Sequence, residues 1–293
     1  MSLSAAKPQM STAFDIRWPD VGSDVGSDAP PTALVFASPH SGRLYPDDMK
    51  AALDAFRLRR SEDARVDDLV DAGPQFGAPL IRVLTGRAYV DVNRDPAELD
   101  PRLFAEALPE GSRGLSPRVA AGLGVVARVA SGGAEIYDRR LSLAEGLSRI
   151  ERVHRPYHDA LSRLLARARK AHGLAVLIDW HSMPAASAPG IDFVLGDRFG
   201  AACSPSLTAS VERLLSGAGF RVTRNTPFAG GYTTEHYGRP ERRTHALQVE
   251  INRGLYLDEM RLEPHRGFET LRQALGQVIK RLAGTDWSPL LHA

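Results

Sequence analysis

At 293 residues the chain can bury one large core or two small ones, and 43% hydrophobic with 25% charged residues is the make-up of a globular protein. A formal net charge of +2 excludes a broad electrostatic case for a nucleic-acid or membrane partner, although 33 of the 37 basic residues are arginine. The lone cysteine, Cys203, excludes an intrachain disulfide; with no membrane-length apolar run and no signal-peptide pattern at the start, the cytoplasm is the expected location.

In chain order, residues 1–31 read as a flexible leader, because small polar residues and prolines crowd 20–31. One domain is expected over 32–290. Leu34–Ala37 is predicted as a short buried strand, broken by Ser38-Pro39-His40-Ser41-Gly42. Apolar residues at helical spacing follow over 46–73. "APLIRVL" and "AYVDVNR" are predicted as two strands around Gly86, and the Gly-, Ser- and Pro-rich stretch 109–134 as a long loop or small insertion. Ile150, Val153, Tyr157, Leu161, Leu164 and Leu165 predict a helix within 141–172, kinked or restarted at Pro156. "LAVLIDWH" and "GIDFVLGD" are strands, 204–219 is a helix with a glycine stop, "FRVTRN" and "HALQVEINR" are late strands, and an amphipathic helix closes the chain. Strands that alternate with helices, several apolar on both faces, specify a three-layer α/β sandwich around a central mixed, mostly parallel sheet.

In open α/β sheets, ligands sit beyond the carboxyl ends of the strands. Four predicted strands end in reactive residues: His40; Asp91, Asn93 and Arg94; Asp179 and His181; Glu250, Asn252 and Arg253. Two histidines at strand ends need a carboxylate to make a three-ligand catalytic zinc site. "RRSEDARVDDLV" offers Glu62, Asp63, Asp67 and Asp68, and its alternative is a solvated acidic face. Asp179, two residues from His181, could orient an imidazole. His154 and His158, four apart, fit packing or substrate contact better than a metal. The stretch 225–240, with Gly230-Gly231 and a load of Tyr232, Glu235, His236 and Arg239, reads as a lid over a site. Arg94 and Arg253, with Arg87 behind them, are candidate carboxylate forks.

Together, "SPHSGRLYP", "EDARVDDLV", "RAYVDVNRDPAELD", "RVHRPYHDAL", "DWHSMP", "DFVLGDRFGAAC", "NTPFAGGYTTEHYGRP" and "HALQVEINRGLYLDE" resemble, in order, the N-formylglutamate amidohydrolase family over about 33–285. The resemblance implies a phosphorylase/hydrolase-like, zinc-carboxypeptidase-like fold and cleavage of N-formyl-L-glutamate to glutamate and formate, a step of histidine degradation. It implies Zn²⁺, or another divalent metal, on His40, Asp63 and His181, with Asp179 and Asp91 supporting them. It implies Glu250 as general base and Asn93 with Arg94 as a carboxylate grip. Arg253, Arg239 and Tyr232 are the remaining candidates for substrate contact. The partner is then a small N-acyl amino acid, with no nucleic acid and no membrane. Other readings are a deacylase or carboxypeptidase acting on another N-acyl amino acid, a two-histidine iron oxygenase, a hydrolase using Cys203, and a binding homologue without turnover.

Overall fold

The computed structural model describes residues 13–19 and 31–292. Its strands are β1 (Phe14–Arg17), β2 (Leu34–Ser38), β3 (Leu80–Val83), β4 (Ala175–Met183), β5 (Phe193–Gly196), β6 (Val222–Arg224) and β7 (Thr244–Asn252). They form one seven-stranded sheet in the order β1-β3-β2-β4-β7-β5-β6. β3, β2, β4 and β7 run parallel to one another, while β1 and β5 pair antiparallel to β3 and β7. The mixed, mostly parallel α/β sandwich expected from the sequence is therefore present. Much of the expected leader lies outside the described residues, but Phe14–Arg17 within it form the edge strand β1.

The helices are α1 (Ala55–Arg59), α2 (Val66–Leu69), α3 (Pro117–Ala120), α4 (Leu143–Arg149), α5 (Arg155–His172), α6 (Pro205–Gly217), α7 (Tyr232–Tyr237) and α8 (Gly267–Ala283). Strand alternation assigns them to two layers. On one face, Val35, Ala37, Leu177 and Ala246 pack with Tyr157, Leu161 and Leu164 of α5. On the other, Phe36, Ile178, Trp180 and Val249 pack with α2, α6 and α8. Leu275 of α8 is wholly buried in that second layer. Leu275→Ala is expected to cost about 2–5 kcal/mol of stability, read as a lower urea midpoint, because a cavity opens in a close-packed core.

Three local expectations are corrected. "AYVDVNR" is no strand. Asp91 Oδ1 accepts from Asn93 N at 2.8 Å and Asp91 O from Arg94 N at 3.2 Å, so the segment curls into turns whose apolar side chains enter the core. The 46–73 segment is not one helix but short pieces, since Asp54 caps α1 and Arg65 turns through a left-handed φ of 65° before α2. Within 225–240 the chain forms α7 rather than an open loop. The helix around Pro156 restarts as foreseen: a π-turn over Ile150–His154 separates α4 from α5. The 109–134 stretch folds around α3 and is tied to the chain before it by Val125 N donating to Glu98 O at 2.9 Å. Among the described residues, no helix is long and apolar enough to cross a membrane.

Candidate active site

Register places the reactive end of β4 beside that of β7. Ala175, Leu177, Asp179 and His181 share one face of β4, as Ala246, Gln248 and Glu250 do on β7. Asp179 lies opposite Gln248, and His181 opposite Glu250. Both neighbouring strands thus switch from apolar to polar on the α5 face as they near their carboxyl ends. His40 follows β2 at the same edge of the sheet. The turn after His40 lies against the backbone beyond β3, where a Cβ on Gly42 would meet Thr85 O at 2.3 Å. Asp63 comes from the turn before α2, and its N–H donates to His40 O at 3.0 Å, which locks the two residues together.

His40, Asp63 and His181 are buried, with one possible ligand atom from each within 4.8 Å of the others. Each imidazole shows the same polarity. His40 Nε2 donates to Asp91 Oδ1 at 2.7 Å, leaving its buried Nδ1 with no hydrogen bond, 3.3 Å from Asp63 Oδ2. His181 Nε2 donates to Asp179 Oδ2 at 3.0 Å, and its Nδ1 lies 2.9 Å from Asp63 Oδ2. Two Nδ1 atoms and a carboxylate oxygen therefore converge, and each outer nitrogen is held by an aspartate, the arrangement that orients histidine ligands. Four buried carboxylates (Asp63, Asp91, Asp179 and Glu250) gather here, and Arg87 and Arg253 are the arginines paired to them. The surplus negative charge and the orphaned Nδ1 fit a divalent cation.

Electrostatics follow from these contacts. Burial pushes His181 down, but Asp179 and Asp63 more than offset it and hold the imidazolium well above its usual range. Burial raises Asp63, yet the His181 and His40 rings beside it hold it well below the carboxylate range. Asp91 is likewise held low against burial, chiefly by Arg87, whose Nη2 donates to Oδ2 at 2.6 Å. Glu250 carries no such partner. Among the described residues its Oε1 accepts only from Gln248 Nε2, at 2.8 Å, and burial pushes its carboxyl up to about 7. That value suits proton transfer near neutral pH.

His40, Asp63, Asp91, His181 and Glu250 line one cleft of about 660 Å³ with Arg87, Asn93, Arg94, Arg118, Gln248 and Arg253. Arg94 donates only to backbone carbonyls, from Nε to Leu123 O and from Nη1 to Asn93 O, both at 3.0 Å; no carboxylate among the described residues pairs with it. Burial pushes its guanidinium down to about 10. Asn93 is fixed by accepting from Thr233 N at 2.8 Å. A Cβ on Gly231 would meet its Nδ2 at 2.4 Å, so only glycine leaves Asn93 in place.

The remaining expectations divide. Glu62, open as an alternative to Asp63, turns away to accept from Tyr45 Oη at 2.9 Å. Arg253 reaches the cleft but is committed to Asp63 Oδ1 at 2.9 Å and to Ser182 Oγ. Tyr232 and Arg239 fall outside the cleft and line a small neighbouring hollow, where Tyr232 stacks on His236 with centroids 5.1 Å apart. His154 and His158 hold the carbonyls of Arg94 and Val92, at 2.9 and 2.8 Å, and so brace the turn that carries Asn93. Cys203 is buried against Thr208, and its thiol is pushed up to about 12 by burial, which removes it as a nucleophile. Gln248 and Arg118 were not foreseen. Gln248 was legible, since it lies two residues before Glu250 and so shares its face.

Residues 32–257 match the family described as N-formylglutamate amidohydrolase. N-formylglutamate deformylases of Pseudomonas aeruginosa and Pseudomonas putida are 30% and 29% identical over 265 residues, each alignment covering 85% of this chain and 90% of the relative. The solved N-formylglutamate amidohydrolase of Ralstonia eutropha JMP134 superposes with a TM-score of 0.86 at 36% identity, covering 93% of this chain and 98% of that one. The chain belongs to the N-formylglutamate amidohydrolase family of amide-hydrolysing enzymes.

Proposed function

We propose that this protein hydrolyses N-formyl-L-glutamate to L-glutamate and formate, as a step of histidine breakdown, using a divalent cation held by His40, Asp63 and His181. The observation that carries the reading is the opposition of His181 and Glu250 on adjacent strands, at the floor of a cleft that also contains Asp63 and His40. When bound, the cation would polarise the formyl oxygen and acidify a water molecule, as zinc does in related chemistry. Glu250 takes a proton from the attacking water as the new C–O bond forms at the formyl carbon. It then returns that proton to the amide nitrogen as the C–N bond breaks, so no covalent enzyme intermediate is required. Gln248 keeps the carboxylate aimed, and Arg94 grips a substrate carboxylate through its guanidinium fork.

Asp179 and Asp91 hold the outer nitrogens of the two histidines. Asp179→Asn is expected to weaken zinc affinity by about 10- to 100-fold, measured by competition with a chromophoric chelator, because the amide no longer fixes the imidazole.

Formate release from N-formyl-L-glutamate by zinc-loaded protein, with a chelated sample beside it, tests the whole reading. Release that the chelator abolishes supports it. Zinc bound without formate release refutes the substrate, and release unaffected by thorough metal removal refutes the metal.

A further inference from the structure

We propose that Arg118 is the residue that selects substrates with a second, side-chain carboxylate; this rests on the formyl-amino-acid reading above. The substrate carries two carboxylates, and five arginines line the cleft. Arg87 is paired to Asp91 and Arg253 to Asp63, so neither guanidinium is free. Arg60 is exposed. Arg94 and Arg118 are partly buried, and among the described residues neither pairs with a carboxylate. Both guanidiniums line the same cleft, so a dianionic substrate held there can meet one with each carboxylate.

Bond count divides the work. In an N-formyl amino acid the α-carboxylate carbon is three bonds from the formyl carbon, and the glutamate side-chain carboxylate is five. Arg94 follows Asn93, whose Nδ2 lies 3.2 Å from His181 Nε2, so it serves the nearer carboxylate. Arg118 comes from α3, in the 109–134 stretch, and serves the farther one. The same stretch braces Arg94 through Leu123 O, so both grips are built on one segment. Arg118 also borders the small hollow that contains Glu98, whose buried Oε2 has no hydrogen-bond partner. Glu98 is the competitor for its charge.

The test compares kcat/KM for N-formyl-L-glutamate and N-formyl-L-glutamine in wild type, Arg118→Ala, Arg118→Lys and Arg60→Ala. Arg118→Ala should lose about 10- to 100-fold on the glutamate substrate, mainly through KM, the range expected for a hydrogen bond to a charged group. It should leave the glutamine substrate within about twofold, with partial recovery in Arg118→Lys. Equal losses on both substrates would make Arg118 a structural residue paired with Glu98, and loss of discrimination in Arg60→Ala alone would move the role to Arg60; either result overturns the proposal. If wild type turns over neither compound, the proposed substrate has failed, and the assignment is read from binding of glutarate against butyrate by calorimetry. A glutarate preference that Arg118→Ala abolishes supports it, and no preference in wild type, or one that Arg118→Ala retains, overturns it.

Discussion

Glu250→Gln is expected to lower kcat for formate release by about 10²- to 10⁴-fold while the protein keeps its fold and its zinc, since the change removes proton transfer and little else. The side chain is nearly isosteric, and its one hydrogen-bond partner among the described residues is Gln248, which can still face an amide. Zinc content and thermal unfolding should therefore match wild type, and near-normal turnover would take Glu250 out of the reaction. The same residue is expected to set the acidic limb of the pH profile. Burial raises its carboxyl to about 7 in the metal-free protein. Only the ionised form accepts a proton, so kcat/KM falls as pH drops through the effective value. A bound cation favours the carboxylate and moves that limb below 7. The limb should be absent from the residual activity of Glu250→Gln.

Asp63→Asn should act more broadly. Asp63 Oδ2 lies against both imidazoles, 2.9 Å from His181 Nδ1 and 3.3 Å from His40 Nδ1, and Oδ1 pairs with Arg253 Nη2 at 2.9 Å. Asparagine offers a neutral, weaker ligand, so zinc affinity should fall by more than the roughly 10- to 100-fold typical of losing a supporting group, and formate release should fall with it. Arg253 would be left buried without its counter-charge, a change that costs about 3–5 kcal/mol in comparable buried pairs. Metal analysis after gel filtration and a urea titration separate the two effects. Full zinc occupancy with wild-type stability would show that Asp63 neither binds metal nor anchors Arg253.

Of the site, the residues at strand ends were the legible part. A strand that reads apolar and then places Asp and His two apart can only put them on one face, because side chains alternate. That regularity pairs Asp179 with His181, and Gln248 with Glu250, from the sequence alone. The choice between Glu62 and Asp63 was not available. The two are adjacent on a turn, and which one enters the site depends on the hydrogen bond from Asp63 N to His40 O, a contact between segments more than twenty residues apart. The 225–240 stretch was legible only in part. Pro227 and Phe228 line the cleft, and Thr233 N and Gly231 N donate to Asn93 and Gln248, but Tyr232 of α7 and Arg239 beyond it line the neighbouring hollow.

By itself, then, the order of apolar runs determined the α/β sandwich, and the polar residues closing those runs determined which edge of the sheet carries the chemistry, since both depend on periodicity along single segments. Tertiary structure alone decided which arginines are free. A guanidinium is the same in sequence wherever it falls. Only the folded chain pairs Arg87 with Asp91 and Arg253 with Asp63, and leaves Arg94 and Arg118 in the cleft with no carboxylate partner among the described residues.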